Sequence, residues 1–259
     1  MNKTLLPCLL VALCALSWTP VAEASSFLIV TVGGSSATCN NSTAGGVTAC
    51  GAAGFTTSLG SNSIQFTGTV DGYSFGGGGT VGLQVGGNAP GTASIAFVLD
   101  TKTNVQHVSG SDDAIIDFGT NDFMLPVGPG LFLSASNTAN WTLSTAGDSM
   151  AFTAWGRDDN TLTAGPAGST AAALSPMCLS SGGTTQSCAQ ATVDVPFNES
   201  PPFALTGRQV IHSAVGTVAS YTGTAAALAS PSTTVPEPSS LVLLGTGAAL
   251  LLSRRNRRK

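Results

Sequence analysis

From residue 26 onward the chain repeats one pattern: short runs in which apolar and polar positions alternate, separated by Gly, Asn, Asp and Pro. Ser26–Val32 is a β-rich run, and Ile64–Val70 alternates as a half-buried strand should. Thr80–Val85 sets Val81, Leu83 and Val85 on one face, and Thr92–Leu99 sets Ala93, Ile95, Phe97 and Leu99 on one side. Asn104–Ser109, Ala114–Phe118, Gly130–Ser134, Asn140–Thr145 and Met150–Trp155 follow, then Thr192–Phe197, Phe203–Thr206, Gln209–Ala214 and Val218–Thr222. No segment keeps a 3.6-residue period over three turns. Many short strands at turn-separated intervals predict an all-β fold, an antiparallel β-sandwich of jelly-roll-like character. The expected core is Ile64, Phe66, Val81, Leu83, Ile95, Phe97, Ile115, Trp141, Leu143, Phe152 and Phe203. Three stretches break the alternation. Gly33–Leu59 reads as a long glycine-rich loop, Gly76–Gly79 as a tight turn, and Gly165–Gln190 as a low-complexity insertion.

The two ends carry a different pattern. Residues 1–24 read as a secretory signal peptide: Lys3, then the apolar stretch Leu5–Leu16, then Ala22-Glu23-Ala24 with small residues at the cleavage positions Ala22 and Ala24. Residues 25–224 are then the ectodomain, and 225–234 an Ala/Ser/Thr/Pro linker. In the last segment, 235–259, Val235-Pro236-Glu237-Pro238 precedes an uncharged apolar run and the basic end Arg254-Arg255-Asn256-Arg257-Arg258-Lys259. The apolar run with its flanks, 239–253, is about 22 Å long as a helix, short for a bilayer but able to span by local thinning and snorkelling. The cations after it are expected to stay cytoplasmic, with the body on the far side of the membrane. Pro236 and Pro238 fix φ and remove backbone donors, leaving an extended segment that a processing enzyme can grip.

This three-part tail resembles the PEP-CTERM sorting domain of Gram-negative bacteria, a tail also labelled an ice-binding protein C-terminal domain. The resemblance implies an exosortase as the processing partner, a membrane-anchored intermediate, and delivery to the cell surface or to the exopolysaccharide of a biofilm matrix. It covers the tail alone. Thr67-x-Thr69, Thr101-x-Thr103 and Thr161-x-Thr163 fall at irregular intervals, which argues against the flat threonine array that ice binding needs.

Charge changes the picture once the ends are set aside. Between Ser25 and Thr234 three cations, Lys102, Arg157 and Arg208, stand against eleven acids, a balance of about −8. An acidic, cation-poor exterior excludes nucleic-acid partners. Cys8 and Cys14 leave with the signal peptide, so Cys39, Cys50, Cys178 and Cys188 remain. An even count in an exported chain predicts disulfides. Of three pairings the local one, Cys39–Cys50 with Cys178–Cys188, staples two loops that have few other means of order.

Candidate chemistry is sparse. His107 and His212 are the only histidines, and neither has a second ligand at helical spacing. Asp112, Asp113 and Asp117 read first as turn formers that bond their own backbone, and only second as a weak Ca²⁺ site, since the glycine and distal glutamate of an EF-hand loop are missing. Trp141 and Trp155 read as core residues or as sugar-stacking platforms. No cofactor is expected. The reading favoured is a non-enzymatic exported surface or matrix protein, structural or adhesive. A carbohydrate-binding module, calcium-assisted through those aspartates, is the first alternative, and a secreted hydrolase the second.

Overall fold

A computed structural model of the chain describes residues 24–41, 50, 54–57, 63–76, 82–128 and 130–229. Alternation at a period of two has its expected consequence: among the described residues thirteen strands pair antiparallel, and the fold is an all-β sandwich. They are β1 (Ser26–Val32), β2 (Ser35–Asn41), β3 (Phe55–Thr57), β4 (Ser63–Phe66), β5 (Gly68–Val70), β6 (Tyr73–Phe75) and β7 (Leu83–Gly87). There follow β8 (Ile95–His107), β9 (Ala114–Phe123), β10 (Leu131–Arg157), β11 (Ala171–Phe197), β12 (Phe203–His212) and β13 (Val218–Ala229). The order along the sheet is β2-β1-β9-β12-β10-β13-β8-β7-β4-β3, with β11 on β10 and the β5–β6 hairpin on β8. The sheet folds over on itself, so β1 and β9 lie against β4 and β7.

The fold line runs across β10. Its first part, Leu131–Leu143, pairs with β13, and its last part, Ser149–Arg157, pairs with β12. A straight strand of 27 residues would run about 90 Å, so it must bend. Its register with β11 shifts between Ala135 and Asn137, between Ala146 and Ser149, and between Met150 and Phe152. At the seam the carboxylate of Asp148 accepts hydrogen bonds from the amides of Thr145 (2.7 Å) and Ala214 (2.7 Å) and from the Thr217 hydroxyl (2.6 Å). Asp148 thus ties the β12–β13 connection to β10.

Several sequence expectations change here. The stretches Thr92–Leu99 and Asn104–Ser109 join into β8, and three separate runs join into β10. Inside the expected loop Gly33–Leu59 lie β2 and β3, and Ile64–Val70 splits at Thr67 into β4 and β5. Gly165–Gln190 is no insertion: most of it is β11, which pairs with β10 along almost its whole length. The linker begins later than expected, because Ala225 and Ala227 are fully buried in β13. Both local disulfides form, Cys39–Cys50 and Cys178–Cys188.

Which face turns inward also departs from expectation. Ile64, Phe66, Leu83, Trp141, Phe152 and Phe203 are core. Leu143 is 46% exposed, and Ile95, Phe97 and Ile115 are only half-buried. On β8 the inner face is Ala96, Val98, Asp100 and Lys102, all fully buried. Val81 lies outside the described residues.

Glycines make room for the core rings. A Cβ on Gly207 of β12 would sit 2.7 Å from the Phe152 ring and 2.8 Å from that of Phe118, two buried rings stacked with centroids 5.9 Å apart. Gly207→Ala is expected to cost about 1–3 kcal/mol by overpacking, read as a lower urea midpoint at unchanged m-value.

Candidate functional site

The outer face of β4, β7 and β8 forms an open groove of about 400 Å³ lined by Ser63, Gln84, Gly86, Gly87, Phe97, Leu99 and Thr101. It exists because β8 turns Phe97 and Leu99 outward, and because Gly86, the register partner of Leu99, has no side chain. Hydroxyl and amide groups rim an apolar floor, and no charged side chain lines it. The two tryptophans take no part: Trp141 is 2% exposed and packs edge-on against Tyr221, and Trp155 is 6% exposed. Both serve as core, which removes them as sugar platforms.

Of the expected calcium residues, Asp117 and Asp113 are engaged elsewhere. Asp117 pairs fork-to-fork with Arg208, at 2.6 Å to Nε and 2.9 Å to Nη2, and Arg208 also lies over the Trp155 ring. Asp113 accepts from His212 Nδ1 at 2.7 Å, and Asp112 sits beside Gly33 in the β1–β2 turn. Asp159 is held by the buried Arg157, and Asp122 by Asn160. Among the described residues no three His, Cys, Asp or Glu side chains converge as a metal cage.

Glu199 stands apart. It is 9% exposed, and neither carboxylate oxygen has a hydrogen-bond partner. Burial, with the negative charges of Asp158 and Asp159, pushes its carboxyl up to about 7. The folded chain therefore holds a proton that the unfolded chain releases near pH 4.5, so stability falls as pH rises from about 4.5 to about 7. Glu199→Gln is expected to flatten that slope and to raise stability at pH 8 by about 1–2 kcal/mol. Urea unfolding at stepped pH checks it.

A second cavity, about 320 Å³, opens at the seam between His107, Gly110, Ser111, Asp148 and His212. Its polar groups hold the fold. The two ring nitrogens of His107 face the carbonyl oxygens of Ser213 (2.5 Å) and Ser109 (2.9 Å), and the ring stacks on Tyr73. His212 and Asp113 make an exposed pair, but among the described residues no serine or cysteine hydrogen-bonds to His212. A Gly-x-Ser-x-Gly spacing occurs at Gly72-Tyr73-Ser74-Phe75-Gly76. Ser74, however, sits mid-strand in β6, paired with Thr69 and Gln106, and not on a strand-to-helix turn.

The least expected cluster is inside. Lys102 of β8 directs Nζ onto the Asp100 carboxylate and the Gln209 side-chain carbonyl, and all three residues are fully buried. Burial pushes the Asp100 carboxyl up and the Lys102 ammonium down, each opposed by the other's charge. Asp100 Oδ1 and Gln209 Nε2 have no hydrogen-bond partner. Composition alone predicts an exterior place for both charges. The only signal to the contrary is that Asp100 and Lys102 continue the face of Ala96 and Val98.

Ala22 of the cleavage site, the sorting signal Val235–Pro238, the apolar run 239–253 and the basic end 254–259 lie outside the described residues. Among the described residues no helix is long and apolar enough to cross a membrane. The family model for the PEP-CTERM protein-sorting motif matches residues 234–258, so the tail is that motif. No curated protein is significantly similar to the chain. Among solved structures, an arabinose-bound α-L-arabinofuranosidase is 15% identical over 60% of this chain and 23% of its own, with a TM-score of 0.29. The Clostridium thermocellum xylanase 10B modules with xylohexaose give 10% identity over 62% and 27%, at 0.26. A mannan-recognising carbohydrate-binding module gives 9% over 56% and 84%, at 0.27. The chain spans under a third of the first two, and scores this low say nothing of what it binds or does.

Proposed function

We propose that this chain is a non-enzymatic surface or matrix protein, structural or adhesive, that works in association with exopolysaccharide. The premise is its tail: a chain bearing the PEP-CTERM motif is an exported protein sorted through an exosortase. The apolar run 239–253 would hold the intermediate in the inner membrane with the cations 254–259 inside, until cleavage passes the body to the surface of a Gram-negative cell.

The observation that carries the non-enzymatic reading is how the polar side chains of the body are used. Asp148, His107, Arg157, Asp117 and Arg208 each bind another part of the fold, including Asp148 and His107, which line the cavity at the seam. Two disulfides suit an exterior life. The test is fractionation of isogenic cells with and without exopolysaccharide synthesis. The body is expected in the matrix of the first and free in the medium of the second. Equal distribution in both would overturn the association.

The groove over Phe97 and Leu99 supports a second reading, a carbohydrate-binding module. Its uncharged rim of hydroxyl and amide groups suits sugar hydroxyls, and its apolar floor suits a pyranose face. A glycan array of the ectodomain against its Phe97→Ala variant, with and without chelator, tests it. Signals that vanish in the variant support it, and a uniformly blank array counts against it.

A further inference from the structure

Asp100, Lys102 and Gln209 meet where no water reaches and where two layers of the sandwich face each other. Lys102 and Asp100 project inward from β8, and Gln209 projects inward from β12. These strands are not hydrogen-bonded neighbours: β8 pairs with β13, β7 and β6, and β12 pairs with β9 and β10. The space for the cluster comes from Gly223 of β13, the register partner of Asp100. A Cβ there would lie 2.5 Å from Gln209 Nε2 and 3.1 Å from the Phe152 ring. The amide thus rests on a bare stretch of backbone with an aromatic wall beside it.

A buried charge pair is a weak device for stability, since the cost of removing both ions from water often exceeds their attraction. A nucleophile, an acyl group and a proton carrier held together in a dry interior have another use. The Lys102 nitrogen contacts the side-chain carbonyl of Gln209, while the amide nitrogen that would leave has no hydrogen bond holding it. Asp100 contacts the same lysine nitrogen and has one oxygen free.

We propose that Lys102 and Gln209 become joined by an isopeptide bond inside the folded chain, with Asp100 as the proton-transfer group. The Nζ lone pair attacks Gln209 Cδ, forming the new C–N bond. Protonated Asp100 gives its proton to the departing amide nitrogen and takes one back from the attacking nitrogen, ending as it began. The old C–N bond breaks, and ammonia leaves. Lysine amine plus glutamine amide become one secondary amide plus ammonia, with no change of oxidation state and no co-reactant. Burial supports the step, because it favours the neutral amine, which is the nucleophile, and the protonated Asp100, which is the acid.

The consequence is a covalent tie between two layers, closing a loop across 107 positions of sequence. It would also remove the ammonium from the interior. Neither the sorting motif nor either functional reading above requires it.

Intact mass of the secreted wild-type protein after disulfide reduction tests it directly. The expected mass is below the sequence value by one ammonia, about 17 Da. Digestion should yield a peptide containing Lys102 joined to one containing Gln209, with trypsin failing to cut at Lys102. The joined peptide is diagnostic. A free tryptic peptide beginning at Gln209 can lose ammonia by cyclising, so a peptide-level shift alone is not. Asp100→Asn, Lys102→Met and Gln209→Leu should each restore the mass expected for an unjoined chain. Boiled and reduced, the wild type should run ahead of Asp100→Asn, because an internal loop keeps the denatured chain compact. A wild-type mass at full sequence value, with separate peptides, would leave a buried ion pair and overturn the proposal. A loss of about 18 Da with Lys102 joined to Asp100 would also overturn it, since water and not ammonia would have left.

Discussion

Cells expressing the chain with Pro236, Glu237 and Pro238 replaced by alanine are expected to accumulate the full-length form in the membrane fraction, with little processed protein outside. The physical reason lies in recognition. Two fixed φ angles and two missing amide donors keep the segment extended and unable to fold into the helix expected to follow it. Alanines remove that constraint and extend the helix backward into the site an exosortase must grip. Losing contacts worth about 1.4 kcal/mol or more lowers processing about tenfold. The body should be unaffected, because the compact unit ends at Ala229. Neutralising Arg254, Arg255, Arg257, Arg258 and Lys259 probes the other half of the device: without cations to stop transfer, the tail loses its fixed orientation. Immunoblots of membrane, surface and medium fractions read both. Unchanged size and distribution in both variants would remove the tail from the account of this protein.

Lys102→Ala is expected to destabilise the body by about 3–5 kcal/mol, a large share of the stability of an ordinary domain. Nothing replaces Nζ between Asp100 and Gln209, so a carboxyl and an amide are left buried without partners, and the lost side chain leaves a cavity. Urea unfolding of the reduced and oxidised variant against wild type measures it. A loss under about 1 kcal/mol would mean that Lys102 does not hold the interior together, because surface lysines cost no more than that. Asp100→Asn keeps the shape and removes only the acid, so its stability and mass separate packing from chemistry.

Much of this fold could be read from alternation, yet the parts left unread share one cause. β11 is built from Ala, Ser, Thr and Gly, with Leu174, Met177 and Leu179 facing solvent and Ala173, Ser175, Cys178 and Ser180 facing inward. Small inner residues carry almost no hydrophobic signal, so the strand looks like filler until β10 is laid beside it. On β8 the larger apolar residues, Ile95, Phe97 and Leu99, point outward, and the inner face holds Asp100 and Lys102. A period of two identifies two faces and does not say which is covered. The groove and the interior cluster are two results of that one choice.

The acids show the same division. Their clustering between strands was visible, and turns account for part of it. Asp117 and Arg208 stand 91 positions apart and become partners only because β9 and β12 pair. Glu199 comes under the influence of Asp158 and Asp159 for a similar reason. No spacing rule reaches across such distances.

Local order along the chain was enough for the sorting motif in the tail, the β class and the two short-range disulfides, because each depends on residues near one another. The tertiary structure alone decided the length of β10, the existence of β11, the inward face of β8 and the meeting of Lys102 with Gln209. Those depend on which strands become neighbours, and that is settled by how a whole sheet closes over its core.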